Sequence, residues 1–252
     1  VNFLMADFYR GSTSSLAPFD NAMFASRETG SYIFSSADHS VFDSIIFGQG
    51  ENVDYAYDAD IIYHEFTHAA IESYVSLMNA PLIDAWGTSF AANSLHEGFA
   101  DYFASSITND PVVGNYVGPR MPQDLDITQA TKAGIRDIAK NASCPASVQG
   151  EAHADGQIWA TALWEIRSAY IKDINPDVFA LDRTFVVTIR DKLVPSISFE
   201  ESAYAVIDVI KNDIGESFAQ TAESIFISHG LIGCERAIDI QTFQQEYLYI
   251  PG

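Results

Sequence analysis

Cysteine is nearly absent from this chain of 252 residues: Cys144 and Cys234 are the only two, far apart in sequence. A pair outside any CxxC arrangement cannot build a four-thiolate zinc site, which leaves either one disulfide or two buried thiols. Basic residues are scarce as well, 13 Lys and Arg against 34 Asp and Glu, and the formal net charge is −21. So negative a surface repels phosphate backbones and anionic lipid, which argues against nucleic-acid or membrane partners. No apolar run approaches the roughly 20 residues that span a bilayer. Repeats, low-complexity tracts and Pro/Gly-rich linkers are missing too, so nothing divides the chain into independent domains. No signal peptide is visible and the first residue is Val1, which reads as a processed or trimmed form and leaves the compartment open.

What is present is a globular balance, 48% hydrophobic and 19% charged. The expected class is α+β, a single domain over 1–252. Residues 1–80 form a small β-containing N-terminal lobe that includes the first long helix, and 81–252 form a mainly helical lobe. The apolar stretch Phe3–Tyr9 is readable as a short helix; Ser31–Ser35 and Val41–Phe47 read as strands. Helices are expected over Ile61–Met78, Leu95–Ile107, Gly156–Lys172, Leu181–Leu193, Phe199–Asn212 and Phe218–His229, with a short one near Gln129–Lys140. Gly230 stands where a left-handed C′ residue would stop the last of them. Trp159 and Trp164 are expected to face the core.

The informative residues are His64-Glu65-Phe66-Thr67-His68. Residues four apart share a helix face, so His64 and His68 can hold one metal ion, while Glu65 leans to the same edge without being a ligand. A catalytic zinc needs a third protein ligand and an open position. Leu95-His96-Glu97-Gly98-Phe99-Ala100-Asp101 offers Glu97 as that ligand and Asp101, four residues on, to orient a ligand histidine. Glu97 has a second reading as half of a capping box with Ser94. Taken from its residues alone, His153 is a solvent-exposed turn histidine and His39 likewise, whereas His229 ends a helix where a cation suits the dipole. Asp54, Asp58 and Asp60 have two readings, calcium ligands or helix N-caps, of which capping is the simpler.

His64–His68, the Glu97-x-x-x-Asp101 helix and His153-x-x-Gly156-x-x-Trp159-Ala160 together resemble the gluzincin metallopeptidases. The resemblance is to the fungalysin-like branch, peptidase family M36, with the thermolysin family as its relative. It covers about half the chain, and the 29 positions from His68 to Glu97 are similar to the fungalysin spacing. The resemblance implies a two-lobed zincin-like fold with the active-site cleft between the lobes. It implies one catalytic Zn2+ on His64, His68 and Glu97, Asp101 behind a ligand, Glu65 as general base and His153 as the oxyanion donor. It also implies secretion as a zymogen whose propeptide inhibits it and is removed, and in that setting Cys144 and Cys234 are expected to pair. His96 stands where a small or amide residue is usual, either supporting the ligands or competing for metal. Among tyrosines only Tyr116, exposed in a loop, offers itself as a thermolysin-like active-site group.

The function expected is a secreted zinc endopeptidase that hydrolyses polypeptides with a zinc-activated water. Two other functions compete. A gluzincin aminopeptidase shares Glu97-Gly98-Phe99-Ala100 but usually has a shorter ligand step and a Gly-x-Met-Glu-Asn segment, which is missing. A catalytically inactive, zinc-stabilised binding module would have no use for Glu65.

Overall fold

Strand pairing claims the start of the chain. The structure, a computed structural model, describes residues 2–6, 8–9, 16–26, 43–78, 81–84, 87–121 and 133–234. The Phe3–Tyr9 stretch is not a helix: β1 (Asn2–Ala6) runs parallel to β5 (Ser44–Gly48), with Phe3 opposite Ile45 and Met5 opposite Phe47. An apolar run this short fits either element, and here the partner strand decides. β2 (Phe8–Tyr9) pairs with β3 (Leu16–Ala17), and β4 (Ala22–Ala25) lies antiparallel on the other side of β5. The resulting order β1-β5-β4 leaves β4 at the edge among the described residues. Ser31–Ser35 and His39 lie outside the described residues.

Helix α1 (Ala59–Glu72) starts at Asp58, whose carboxylate accepts from the N–H of Asp60. It stops six residues short of the expected Met78. Glu72 Oε1 accepts from the N–H groups of Leu77 and Met78 at 3.0 and 3.1 Å, giving the turn an alternative to helical bonding. That turn drops Leu77 fully into the core. A hairpin, β6 (Leu82–Asp84) and β7 (Gly87–Ser89), leads to α2 (Ala91–Thr108). Because α2 begins at Ala91, Ser94 lies inside the helix and bonds back to the carbonyl of Phe90, so the capping-box reading of Glu97 falls away.

Beyond α2, β8 (Val112–Val113) pairs with β9 (Arg136–Asp137), which replaces the 133–140 part of the expected short helix; 129–132 lie outside the described residues. Four helices follow: α3 (Ala152–Asp173), α4 (Phe179–Asp191), α5 (Phe199–Asp213) and α6 (Glu216–Ser228). Ser198 and Glu201 form a reciprocal capping box on α5. The architecture is α+β, and it has two cores. The larger joins α2 through α6 around Phe99, Trp159, Phe185 and Phe226. The smaller joins the sheet to α1 through Phe24, Ile45, Tyr55, Ile61 and Ile135. Trp159 is fully buried, but Trp164 is only half-buried and stacks beneath the Arg167 guanidinium at 4.6 Å, a correction to its expected core position. No helix among the described residues is long and apolar enough to cross a membrane.

Helices α2 and α3 cross at two glycines. A Cβ on Gly98 would stand 2.6 Å from the Gly156 carbonyl oxygen, and one on Gly156 would stand 2.8 Å from that of Ser94. The end of α6 is fixed differently. Gly230, at φ +66°, passes so close to Cys144 that a Cβ would sit 2.3 Å from its carbonyl oxygen. Cys144 also donates its N–H to the His229 carbonyl and forms a disulfide with Cys234, closing a separation of 90 residues. His229 is buried, its ring between the Ala142 carbonyl and Glu165 at 2.7 and 2.8 Å.

Two stability outcomes follow from these contacts. Gly98→Ala forces α2 and α3 apart and should cost about 1–3 kcal/mol, read as a lowered denaturant midpoint. Cys234→Ser releases the long loop and should cost up to about 4–5 kcal/mol by chain entropy, measured the same way.

Candidate metal centre

The site is assembled from α1, α2, β9 and the start of α3. On α1 the four-residue spacing turns His64 and His68 to one side, where their Nε2 atoms face each other at 2.9 Å. From α2, Glu97 Oε2 approaches them at 3.3 and 3.5 Å. The three donor atoms lie within 4.8 Å of one another in a largely buried setting. This arrangement fits a metal ion. Two imidazole nitrogens in contact can share at most one proton, and Glu97 Oε2 is buried without a well-formed hydrogen bond. One cation at their common focus satisfies all three, and imidazole with carboxylate is a zinc donor set. Glu65 is also buried and lines the same cleft.

Behind the donors stands a buried charge chain. Asp101 Oδ1 lies 2.9 Å from His64 Nδ1, leaving Nε2 to face the focus. Arg136 then grips Asp101 with two parallel bonds, Nε to Oδ2 at 2.6 Å and Nη2 to Oδ1 at 2.7 Å. Burial alone would neutralise Asp101, but the Arg136 guanidinium and His64 hold its carboxyl down to about 2. Burial likewise presses His64 toward the neutral form, and the bonds from Asp101 and Glu97 outweigh it, lifting the imidazole to about 10. Glu97 is held well below the usual carboxylate range, against burial, by His68, His64 and His153. Both carboxylates are thereby held ionised beside the imidazoles. Arg136 escaped sequence reasoning because it lies 35 positions beyond Asp101, in a stretch that reads as a short helix near 129–140; the pairing of β9 with β8 brings it back.

His153, in the first turn of α3, lies with Nε2 3.5 Å from Glu97 Oε2, and its side chain is half exposed to the cleft. Its partner is Glu151. That carboxylate caps α3 by accepting from the N–H groups of His153 and Ala154, and contacts His153 Nδ1 at 2.7 Å. Asp155, two positions further on, accepts from the N–H groups of Gln149 and Gly150. The capping role belongs to the residue that precedes the helix.

The remaining candidates fall elsewhere. His96 is buried and stacks on His68 with ring centroids 4.2 Å apart, while its Nε2 is 3.6 Å from Glu72 and outside the donor cluster. Tyr116 lies under the Arg120 guanidinium at 4.2 Å and is not among the residues lining the cleft. The calcium reading of Asp54, Asp58 and Asp60 finds no support. Asp54 accepts from Ala56 N–H, and Asp58 from those of Asp60, Tyr116 and Val117. Asp60 accepts from Gly114 N–H at 3.1 Å. These carboxylates tie the start of α1 to the loop after β8.

A His-x-x-x-His pair and a carboxylate from the next helix, with a glutamate between the histidines and a cleft above, define the metallopeptidase class. The sequence profile of the fungalysin metallopeptidase family (M36) matches residues 6–191, and the chain belongs to that family. Among solved structures, the precursor of protealysin, a metalloproteinase from Serratia proteamaculans, shares the fold. Its TM-score is 0.56 at 16% identity, over 75% of this chain and 63% of that one. The chain thus spans less than two thirds of that relative's length. No curated protein matches the chain.

The charge chain makes a measurable demand on metal affinity. Asp101→Asn removes the negative charge behind His64 and should weaken zinc binding 10–100-fold, read by competition with a chromophoric chelator. Arg136→Met, which leaves Asp101 without its cation, should destabilise the fold by about 3–5 kcal/mol.

Proposed function

We propose that this chain is the catalytic domain of a secreted zinc endopeptidase that hydrolyses polypeptides. The observation that carries the reading is the meeting of His64, His68 and Glu97 at one focus, under a cleft that Glu65, His153 and Arg136 also line. His64, His68 and Glu97 would hold Zn2+, a Lewis acid that polarises a carbonyl and makes water a nucleophile near neutral pH.

The chain's own residues do the rest. Glu65 accepts the proton of the attacking water and later returns it to the leaving amine. His153, steadied through Nδ1 by Glu151, offers Nε2–H to the oxygen that becomes negative as the tetrahedral centre forms. Asp101, itself held by Arg136, fixes the tautomer of His64. Residues Asp20 through Phe24 form one wall of the cleft, and β4 is an edge strand among the described residues. An extended peptide can add to that edge through main-chain hydrogen bonds, which suits an enzyme cutting within chains. Membership of the fungalysin family supports secretion and synthesis as a zymogen, with the propeptide covering this cleft until removed.

Three measurements test the reading. A chelator should abolish cleavage of a peptide blocked at its N-terminus, and added zinc should restore it; dependence on a free amine would instead indicate an aminopeptidase. Glu65→Gln should keep its zinc yet lose about 10²–10⁴-fold or more in kcat/KM. An active Glu65→Gln protein would overturn the general-base role. His153→Ala should lower kcat by about 10²–10³-fold and change KM less, as expected for a donor acting on transition-state charge.

A further inference from the structure

The cleft is lined by the histidines and carboxylates already described and also by apolar residues that the chemistry leaves unused. Phe24, Ile61 and Ile135 line the cleft and belong to the smaller core. Three thioethers line the cleft with them: Met23, Met78 and Met121. The chain has only four methionines, so three of the four stand on the wall of one cavity of ≈570 Å³. They come from separate segments: Met23 from β4, Met78 from the turn after α1, and Met121 from the loop beyond β8. No local pattern groups them; the fold does. All three are half-buried, and Met78 and Met121 rest on the smaller core.

We propose that Met23, Met78 and Met121 form one conformable wall of the substrate cleft, and that this wall is an oxidative modification site whose conversion to sulfoxides stops the cleft from holding large apolar side chains of a polypeptide. The identity of the ligand rests on the peptidase reading above. An unbranched thioether with three rotatable bonds and a polarisable sulfur can reshape around aliphatic or aromatic groups. Half-burial in the cleft lining leaves part of each methionine open to a bound side chain and to a small oxidant from solvent. A hydroperoxide transfers one oxygen to the sulfur: an S–O bond forms, the O–O bond breaks, the sulfur gives up two electrons, and hydrogen peroxide leaves as water. The product is a polar acceptor in a cleft also lined by Phe24, Ile61 and Ile135, which carry no side-chain donor. Packing an apolar side chain against it removes water from that acceptor without replacing its hydrogen bond.

The test uses the zinc-loaded full chain as Glu65→Gln, titrated with two blocked fluorescent peptides that differ only in a central leucine or serine. Hydrogen peroxide is added until peptide mapping shows sulfoxide at Met23, Met78 and Met121, with Met5 followed as the remaining methionine. Affinity for the leucine peptide should fall about tenfold, the scale of lost apolar contact, and that for the serine peptide by less than about threefold. A Met23→Leu/Met78→Leu/Met121→Leu protein, given the same oxidation, should change by less than about twofold from its own untreated value. Complete oxidation with unchanged leucine-peptide affinity overturns the proposal, as does an equal loss in the leucine variant. If the untreated protein binds neither peptide, the peptidase reading is what fails. The wall is then judged with anilinonaphthalene sulfonate: its fluorescence must drop on oxidation in the parent and hold steady in the leucine variant, and any other pattern overturns the proposal.

Discussion

A buried carboxylate, Asp101, is the constraint on which the site depends. Its side chain is almost wholly withdrawn from water, where an uncompensated charge is far more costly than any single contact can offset. Two neighbours make it tolerable: the Arg136 guanidinium on one side and the His64 imidazole on the other. Each of these comes from a different element. The need to satisfy one carboxylate therefore fixes α1, α2 and β9 against each other and turns His64 toward the focus. Metal affinity and fold stability are linked here through the same atoms.

The second constraint is steric. Glu97 sits beside Gly98, and His153 three positions before Gly156, so the close crossing of α2 and α3 at those glycines also sets the gap between the third donor and the oxyanion candidate. Trp159 packs at the same crossing and anchors it in the larger core through Phe99 and Phe226. Thus the helices that carry Glu97 and His153 are backed by the large helical core. Phe24, Ile61 and Ile135 of the cleft belong to the smaller core of sheet and α1, and α1 contributes to both cores.

Negative charge is distributed with the same economy. The acidic groups at the start of α1 are absorbed by backbone donors of the loop after β8, so they brace the fold instead of forming an ion site. Those near the focus, Glu65 and Glu97, face histidines and Arg136 across the cleft. Arg136, bonded to Asp101, also acts on Glu97 and Glu65, so one buried guanidinium offsets several carboxylates at the site.

Spacing within one element was legible from the residues. The His64-Glu65-x-x-His68 face, the Glu97-x-x-x-Asp101 face and the helical period of the C-terminal half depend only on 3.6 residues per turn. So were most helix boundaries, wherever a cap such as Asp58 or a stop such as Gly230 marks them. The early end of α1 was not, because Glu72 acts on residues five and six positions ahead through a turn no periodicity encodes. Nor was the strand at Asn2–Ala6, whose identity belongs to its partner β5. Tertiary structure alone decided that Arg136 meets Asp101 and that three scattered methionines line one cavity. The physical reason is reach: helical periodicity acts over a few residues, whereas burial of charge and closure of a cleft are satisfied by whichever groups the whole chain brings together.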